Sequence, residues 1–231
     1  MRVFLLSPAN CGGIRAGMVM SPTARFALAD RLRSADGAAL GDVFAFVSGL
    51  YFRGKLAYAR RFARPPDPDD PVVAGGVLVI TPNAGLRAAD TVVTVDSLRA
   101  FAGVDIDLSN PSYRTPLEQG ARALRASVGP DCEGVLLGSI ASGKYVELLL
   151  PIFGDRLMFP PEFVGRGDMS RGGLMLRCVE AGSELEYLPL AGAIRRGRRP
   201  PKLPPLSRAA KRAQGAEILN AKIAKVAKRK P

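Results

Sequence analysis

The chain has 231 residues and 47% of them are hydrophobic, which is enough to bury a core and excludes a protein that is disordered throughout. It contains no histidine, so Ser-His-Asp catalysis, Cys-His catalysis and histidine-ligated metal sites are excluded. The three cysteines are far apart and include no C-x-x-C pair, a pattern that indicates neither a disulfide framework nor a zinc site. We therefore predict no metal and no cofactor.

The net charge of +12 is concentrated near one end of the chain. Of the 33 basic and 21 acidic residues, thirteen basic and one acidic lie in residues 195–231, which leaves 20 of each sign in residues 1–194. This partition predicts an α/β domain over 1–194 and, over 195–231, a basic proline-rich linker with a Lys/Arg-rich tail, helical or disordered. A tail of this charge favours a polyanion as its partner, most often nucleic acid.

Membrane insertion is not expected. No apolar run reaches the roughly 18 residues that a membrane helix needs. The apolar start of the chain is too short for a secretory signal and lacks its small-residue cleavage pattern. The sequence therefore predicts a cytoplasmic protein without a membrane partner, and it leaves the oligomeric state open.

Strands and helices alternate along residues 1–194. The predicted strands are short apolar runs bounded by turn residues, and they cover residues 3–7, 77–81, 92–95, 134–138, 156–159, 174–179 and 184–188. The predicted helices have an apolar face at helical spacing: one follows Ser21 and Pro22, one covers 97–102 with Asp96 as its cap, one covers 114–128, and one follows Ser142. Residues 42–63 fit helical spacing except at two glycines, so two helices, or a strand and a helix, remain alternatives. The alternation predicts an α/β fold with a three-layer Rossmann-like sheet, largely parallel.

Residues 138–144 match the pattern G-x-x-x-x-G-K between a predicted strand and a predicted helix. Glycines let backbone N–H groups turn toward an anion, a helix start attracts negative charge, and the lysine adds a cation. The predicted ligand-binding residues of this loop are Gly138, Ser139, Ser142, Gly143 and Lys144. Tyr145 follows where a P-loop has the Ser or Thr that binds Mg²⁺, so an anion or nucleotide site, a full NTPase site and a tight turn with a solvated lysine all remain alternatives.

Residues 165–173 hold two guanidinium groups on either side of a carboxylate. Arg166 and Arg171 are predicted to bind phosphate or carboxylate groups of a ligand, and Asp168 is predicted to orient one of these arginines or to act as a catalytic base. The alternative is an exposed loop that contains a local Asp–Arg pair.

Asn10 and Cys11 follow the first predicted strand, at the edge where ligands reach an open parallel sheet. Asn10 is predicted to contact the ligand. Cys11 is a candidate nucleophile that a helix N-terminus or an arginine would have to activate, because histidine is absent. A buried, unreactive thiol is the alternative.

Aromatic and basic residues interleave over residues 51–58. The members of this group are Tyr51, Phe52, Arg53, Lys55 and Tyr58. Such a group can stack on and clamp a nucleic acid, but rings at helical spacing are also typical of a core.

The order of these features resembles a protein family. The residues that carry the resemblance are Ser48-Gly-Leu-Tyr-Phe-Arg53 with Ala57-Tyr58-Ala59, Asn83-Ala84-Gly85-Leu86 with Asp90, the loop 138–145 and the segment 161–176. Over residues 1–176 the chain resembles uncharacterised bacterial and phage Rossmann-like proteins, similar to the uracil-DNA-glycosylase-like and transglycosylase-associated domains of deazaguanine metabolism. The resemblance implies a Rossmann-like fold and the handling of a nucleotide or nucleobase, and it supplies no established reaction. Action on a glycosidic bond is one form that the predicted function can take. Asn83-Ala84 stands where that family has a histidine before its glycine.

Three functions remain as hypotheses. The first is an enzyme or binding protein for a phosphate-bearing nucleotide or nucleobase, whose site gathers the loops at the carboxyl edge of the sheet. The second is a non-catalytic nucleic-acid-binding module that uses the basic tail. The third is a scaffold protein for which the tail is a tether.

Overall fold

The computed structural model of the chain describes residues 1–203. Residues Met1–Pro200 form one compact unit, and a second unit begins at Pro201. Most of the predicted basic tail, residues 204–231, lies outside the described residues. The division of the chain at residue 194 and the tail itself therefore stay predictions.

The strands and helices are numbered in chain order. The strands are β1 (Arg2–Leu6), β2 (Ala38–Ala39), β3 (Val77–Thr81), β4 (Gly85–Ala88), β5 (Val92–Val93), β6 (Glu133–Leu137), β7 (Leu157–Phe159) and β8 (Leu188–Pro189). The α-helices are α1 (Ile14–Met20), α2 (Ala27–Arg33), α3 (Leu40–Ser48), α4 (Leu50–Phe62), α5 (Val95–Ala102), α6 (Pro111–Val128), α7 (Gly143–Phe153) and α8 (Asp168–Ala181). Short 3₁₀ turns cover Ala74–Gly76, Gly154–Arg156 and Pro161–Phe163.

A mostly parallel sheet forms the centre of the fold, so the α/β prediction is confirmed. Within residues 1–203 the sheet has six strands in the order β4-β3-β1-β6-β7-β8. Strand β1 pairs in parallel with β3 on one side and with β6 on the other, with Phe4 opposite Val77 and Val135. The edge strands β4 and β8 are antiparallel to their neighbours, and β2 pairs with β5 in a separate two-stranded sheet.

Helices cover both faces of this sheet. Phe4 and Leu6 of β1 face one apolar core, which the helices α1 to α5 and α8 complete. Val3 and Leu5 face a second core, which α6 and α7 complete. The alternation follows from the two-residue period of a strand, and burial on both faces explains why the parallel strands are continuous apolar runs in the sequence.

The predicted strand over 174–179 is wrong, because these residues belong to α8. Gly172 of this helix lies against Gly54 of α4. A Cβ built on Gly172 would lie 2.6 Å from the Leu50 carbonyl oxygen, and one on Gly54 would lie 2.6 Å from the Gly172 oxygen. The glycines that suggested a loop before a strand instead allow two helix backbones to approach closely.

Two predicted helix starts are also wrong. Ser21 ends α1 as its C-cap and does not begin the next helix, whose N-cap is Phe26. Asp96 is not the cap of α5. Thr94 is the N-cap, and its side chain and that of Ser97 each accept from the backbone N–H of the other, which is a reciprocal capping box.

The ambiguity over residues 42–63 resolves into two helices. Gly49 separates α3 from α4 with φ of +63°, a left-handed conformation that favours glycine. Within the described residues, no helix combines the length and the apolar character that crossing a membrane requires.

Candidate functional site

The carboxyl ends of β1 and β6 lie side by side at the centre of the sheet. The chain leaves β1 for β3 on one side and later returns to β6 on the other, so this is the topological switch point. A Cβ built on Gly138, just after β6, would lie 2.9 Å from the Ser7 Cβ, just after β1. In an open parallel sheet, the crevice at such a point is the usual place for a ligand.

A cleft of about 420 Å³ opens at this edge. Its lining residues come from the loops after β1 and β3, from the α5–α6 connection and from the start of α7: Pro8, Ala9, Asn10, Cys11, Gly12, Pro82, Phe101, Ala102, Val104, Asp105, Ile106, Lys144 and Tyr145. The volume falls within the range of about 300 to 1,000 Å³ that is usual for small-molecule sites. We call it the switch-point cleft.

Lys144 is exposed and lines the switch-point cleft from the first turn of α7. Its backbone oxygen accepts a hydrogen bond from the Tyr113 hydroxyl at 2.8 Å, which ties the start of α7 to α6. The other predicted residues of this loop, Gly138, Ser139, Ser142 and Gly143, lead into the helix and are not among those that line the cleft. Ser142 is the N-cap residue, although its side chain makes no capping hydrogen bond.

The loop before α7 lacks the backbone shape of a phosphate nest. None of residues 138–144 has a positive φ, so the alternation of right- and left-handed residues that forms such a nest is absent there. The features of this segment that can attract an anion are the helix start and Lys144.

Asn10 and Cys11 also line the cleft, but their chemistry differs. The Asn10 carboxamide oxygen accepts from the Gly12 N–H at 3.0 Å, which fixes the turn after β1. The Cys11 thiol is 3% exposed, and its Sγ–H donates to the Ala9 oxygen at 3.6 Å. Burial raises the pKa of Cys11 to about 12, so the thiolate is scarce at neutral pH and the unreactive-thiol alternative is favoured.

Acidic groups lie in the cleft lining and close to it. Asp105 lines it directly. Two hydrogen bonds from Ser109 lower the pKa of Asp107, and the nearby Lys144 ammonium lowers it further. The cleft therefore has both cationic and acidic residues in or near its lining.

Arg171 is held by the protein itself. It is 8% exposed, its Nε and Nη2 donate to the Phe163 oxygen at 3.1 and 2.9 Å, and its Nη1 lies 3.4 Å from Asp168 Oδ1. Arg166 donates from Nε to the Glu162 oxygen at 3.0 Å and from Nη1 to Ser170 Oγ at 3.1 Å.

The local Asp–Arg pair that sequence analysis left as an alternative is thus present, at the start of α8. Arg166, Asp168 and Arg171 are not among the residues that line the cleft. Asn10, Cys11 and Lys144 are brought together there.

A buried lysine lies at the same edge of the sheet, and sequence analysis named it only as a member of the 51–58 group that could clamp a nucleic acid. Lys55 of α4 is fully buried, and its Nζ donates to the Ser7 backbone oxygen at 2.5 Å and to Ser7 Oγ at 2.9 Å. The ammonium nitrogen lies 4.4 Å from the centre of the Tyr51 ring and 4.7 Å from that of Phe52. Burial lowers the pKa of Lys55 to about 7; Asp168 raises it and Arg171 lowers it.

Of two further tyrosines, Tyr51 lies beside this lysine and Tyr145 lies in the cleft lining. Among the described residues, the buried Tyr51 hydroxyl has no hydrogen-bond partner within 3.5 Å, although Arg171 and Ser7 are near enough to favour its ionised form. Burial raises the pKa of Tyr51 to about 12 all the same. Tyr145 lines the cleft, and burial, with smaller effects from Tyr51 and Asp168, raises its pKa to about 12. We call Ser7, Tyr51, Lys55 and Arg171 the buried cluster.

The sequence does contain a signal for Lys55. It lies three residues after Phe52 and four before Ala59, on the apolar face of a helix, where a charged residue is unusual. The rings of the 51–58 group are core residues, since Tyr51, Phe52 and Tyr58 are all buried. They do not form a surface clamp.

Comparison with known proteins gave no match to a family model, to a curated protein or to a solved structure. Within residues 1–203, no group of three or more acidic or cysteine side chains is placed to hold a metal ion.

Proposed function

We propose that this protein binds a small phosphate-bearing ligand of the nucleotide or nucleobase class in the switch-point cleft. The observation that carries the proposal is the arrangement of the cleft itself. A concave site of about 420 Å³ lies at the switch point, with an exposed lysine at a helix start on one wall. Ligands of α/β proteins with open parallel sheets bind at this position.

The cationic wall suits a phosphate group. Lys144 supplies a full charge, and the unpaired N–H groups of the first turn of α7 supply partial positive charge. Because residues 138–144 do not form a nest, we expect one phosphate to be held here and not a triphosphate wrapped by backbone.

Other lining residues suit the remaining parts of a nucleotide. Phe101, Val104 and Ile106 provide apolar surface, and Asp105 provides an acceptor for hydroxyl or amino groups. Acidic residues bind ribose hydroxyls in many dinucleotide sites, and a planar base favours apolar neighbours.

Catalysis at a glycosidic bond is the finer proposal, which follows from the family resemblance. Such a reaction needs an acid or base beside the ligand. Asp105 lines the cleft and has a carboxyl group that can act as such an acid or base. Asp168, the predicted base, has a side chain that is 66% exposed at the start of α8.

A thermal shift measurement tests ligand binding. Nucleoside 5′-monophosphates, free nucleobases and inorganic phosphate are compared, since a ligand at 100 times its dissociation constant stabilises the folded state by about 2.7 kcal/mol. We expect a nucleoside monophosphate to raise the melting temperature of the wild type and to do so much less for Lys144→Ala.

The matched control is Arg122→Ala, which removes one positive charge from the exposed face of α6 at a position outside the cleft lining. It should leave the ligand-induced shift unchanged. Equal shifts for the wild type and Lys144→Ala would contradict the proposal.

The charge of residues 195–231 favours a second candidate function, which is nucleic-acid binding through phosphates. The segment carries thirteen basic residues, one acidic residue and no aromatic ring, so Coulomb attraction has to provide the affinity. With eight to ten phosphates contacted, log affinity should fall with log salt at a slope of about −6 to −9.

The variant for this test ends at Pro200. This truncation keeps the compact unit, in which Arg195 Nη1 lies 3.0 Å from Glu147 Oε1. It should flatten the salt slope. An unchanged slope would show that residues 1–200, and not residues 201–231, bind the nucleic acid.

A further inference from the structure

The buried cluster has more hydrogen-bond donors than acceptors. A lysine ammonium group has three N–H donors, and the oxygens of Ser7 accept two of those of Lys55. The Tyr51 hydroxyl has no hydrogen-bond partner within 3.5 Å among the described residues, although Ser7 and Arg171 lie near it. A buried donor without an acceptor is unfavourable by about 1 to 3 kcal/mol, so such donors are uncommon.

The same cluster has an excess of positive charge. Lys55 and Arg171 are both buried, and Arg171 weakens the protonation of Lys55. Among the described residues, no carboxylate oxygen lies within 4.0 Å of the Lys55 ammonium. Asp168 acts on Lys55 from a distance, but it is paired with Arg171 and its side chain is 66% exposed. Buried charges normally have a partner of opposite sign.

Neither Lys55 nor Tyr51 lines the switch-point cleft, but each adjoins a residue next to the cleft or in its lining. Ser7, which binds the Lys55 ammonium, directly precedes Pro8 in the cleft lining. Tyr145 lines the cleft and interacts electrostatically with Tyr51 and Asp168. An acceptor that carries negative charge and lies above the ends of β1 and β6 would therefore act on the two unsatisfied donors.

We propose that the anionic group of the ligand is the missing counter-charge of Lys55, so that anion binding at the switch point and protonation of Lys55 are coupled. This inference rests on the proposed function. It goes beyond that function by assigning Lys55 as a positioning residue that makes binding depend on pH.

The charged and titratable groups that face Lys55 set the direction of the coupling. They are Asp168 and Arg171 of α8 and Tyr51 of its own helix, with Tyr145 of α7 beyond Tyr51. The tyrosines stay neutral at neutral pH because burial raises the pKa of each to about 12. Without ligand the pKa of Lys55 is about 7, so a bound anion that favours the ammonium takes up a proton near neutral pH.

Titration calorimetry with inorganic sulfate tests the coupling, because sulfate stays a dianion between pH 6 and pH 8.5. We expect the affinity of the wild type to fall about tenfold over this range and binding at pH 7 to take up about half a proton. Proton uptake is measured by repeating the titration in buffers of different ionisation enthalpy. This measurement needs no variant, so it decides the question even if a substitution at Lys55 prevents folding.

Three variants separate the coupling from the proposed function. Lys55→Met should remove the pH dependence of sulfate binding. Tyr51→Phe should weaken binding but leave its pH dependence in place. Lys144→Ala should weaken binding at every pH and also leave the pH dependence in place. Sulfate binding that is absent, independent of pH or without proton uptake would overturn the coupling, and so would a pH dependence that survives Lys55→Met. A separate measurement tests the proposed function, namely whether Lys144→Ala reduces the nucleotide-induced melting shift.

Discussion

Residues 138–144 and residues 165–173 are similar in sequence, since both combine glycines with serine and a basic side chain. In the first segment, Lys144 is exposed and lines the switch-point cleft. In the second, Arg171 is buried and donates twice to the Phe163 oxygen. A basic side chain in a glycine-rich segment is thus available to a ligand only where no acceptor of the protein already binds it.

The comparison predicts that the two cations differ most in their contribution to stability. Arg171→Met should lower the free energy of unfolding by about 3 to 5 kcal/mol, because it leaves a buried carbonyl and Asp168 without their partner. Lys144→Met should change it by less than about 0.5 kcal/mol, as for an exposed site. Urea denaturation of both variants measures the difference, and equal stabilities would contradict the contrast between the segments.

Lys55 predicts a dependence of stability on pH. Its pKa is about 7 in the folded protein against 10.5 as the ordinary value, so between these pH values the unfolded chain binds the extra proton. Wild-type stability should therefore rise with pH above 7, by at most about 1.4 kcal/mol per pH unit, and be lowest below pH 7.

The control for this prediction is Lys55→Met, measured by urea denaturation from pH 6 to pH 9. The variant should gain stability relative to the wild type at pH 6, and this gain should shrink toward pH 9. A constant difference across the range would show that Lys55 stays protonated in the fold.

The glycines of residues 165–173 also differ in whether the protein already fills the space around them. Gly172→Ala should destabilise the protein by about 1 to 3 kcal/mol, because the new Cβ would lie 2.6 Å from the Leu50 oxygen. Gly167→Ala adds its Cβ to open space and is the matched control. If both variants unfold at the same urea concentration, the close approach of α4 and α8 is not needed for stability.

The smallest effect is expected from changing or alkylating Cys11. Since burial raises its pKa to about 12, alkylation by iodoacetamide at pH 8 should be much slower than for an unfolded cysteine. Cys11→Ser should leave nucleotide-induced melting shifts unchanged. Rapid alkylation that ligand prevents would restore Cys11 as a candidate nucleophile.

The sequence by itself determined the fold class. The apolar runs at β1, β3, β6 and β7 are buried on both faces, and a strand of this kind can be recognised without knowing its neighbours. The start of α7 could also be predicted from neighbouring residues alone, because Ser142 and the apolar spacing after it predict a helix. The exposed lysine at that start was identified for the same reason.

Tertiary structure decided what local patterns could not. Residues 174–179 are helical because Gly172 packs against Gly54, more than a hundred residues earlier in the chain. Arg171 is unavailable because the Phe163 carbonyl lies within its reach, and Lys55 lies at the carboxyl end of β1 because its ammonium group reaches Ser7. Burial and hydrogen bonding across distant segments determine whether a charged side chain faces a ligand or the protein itself, and sequence spacing does not encode these distances.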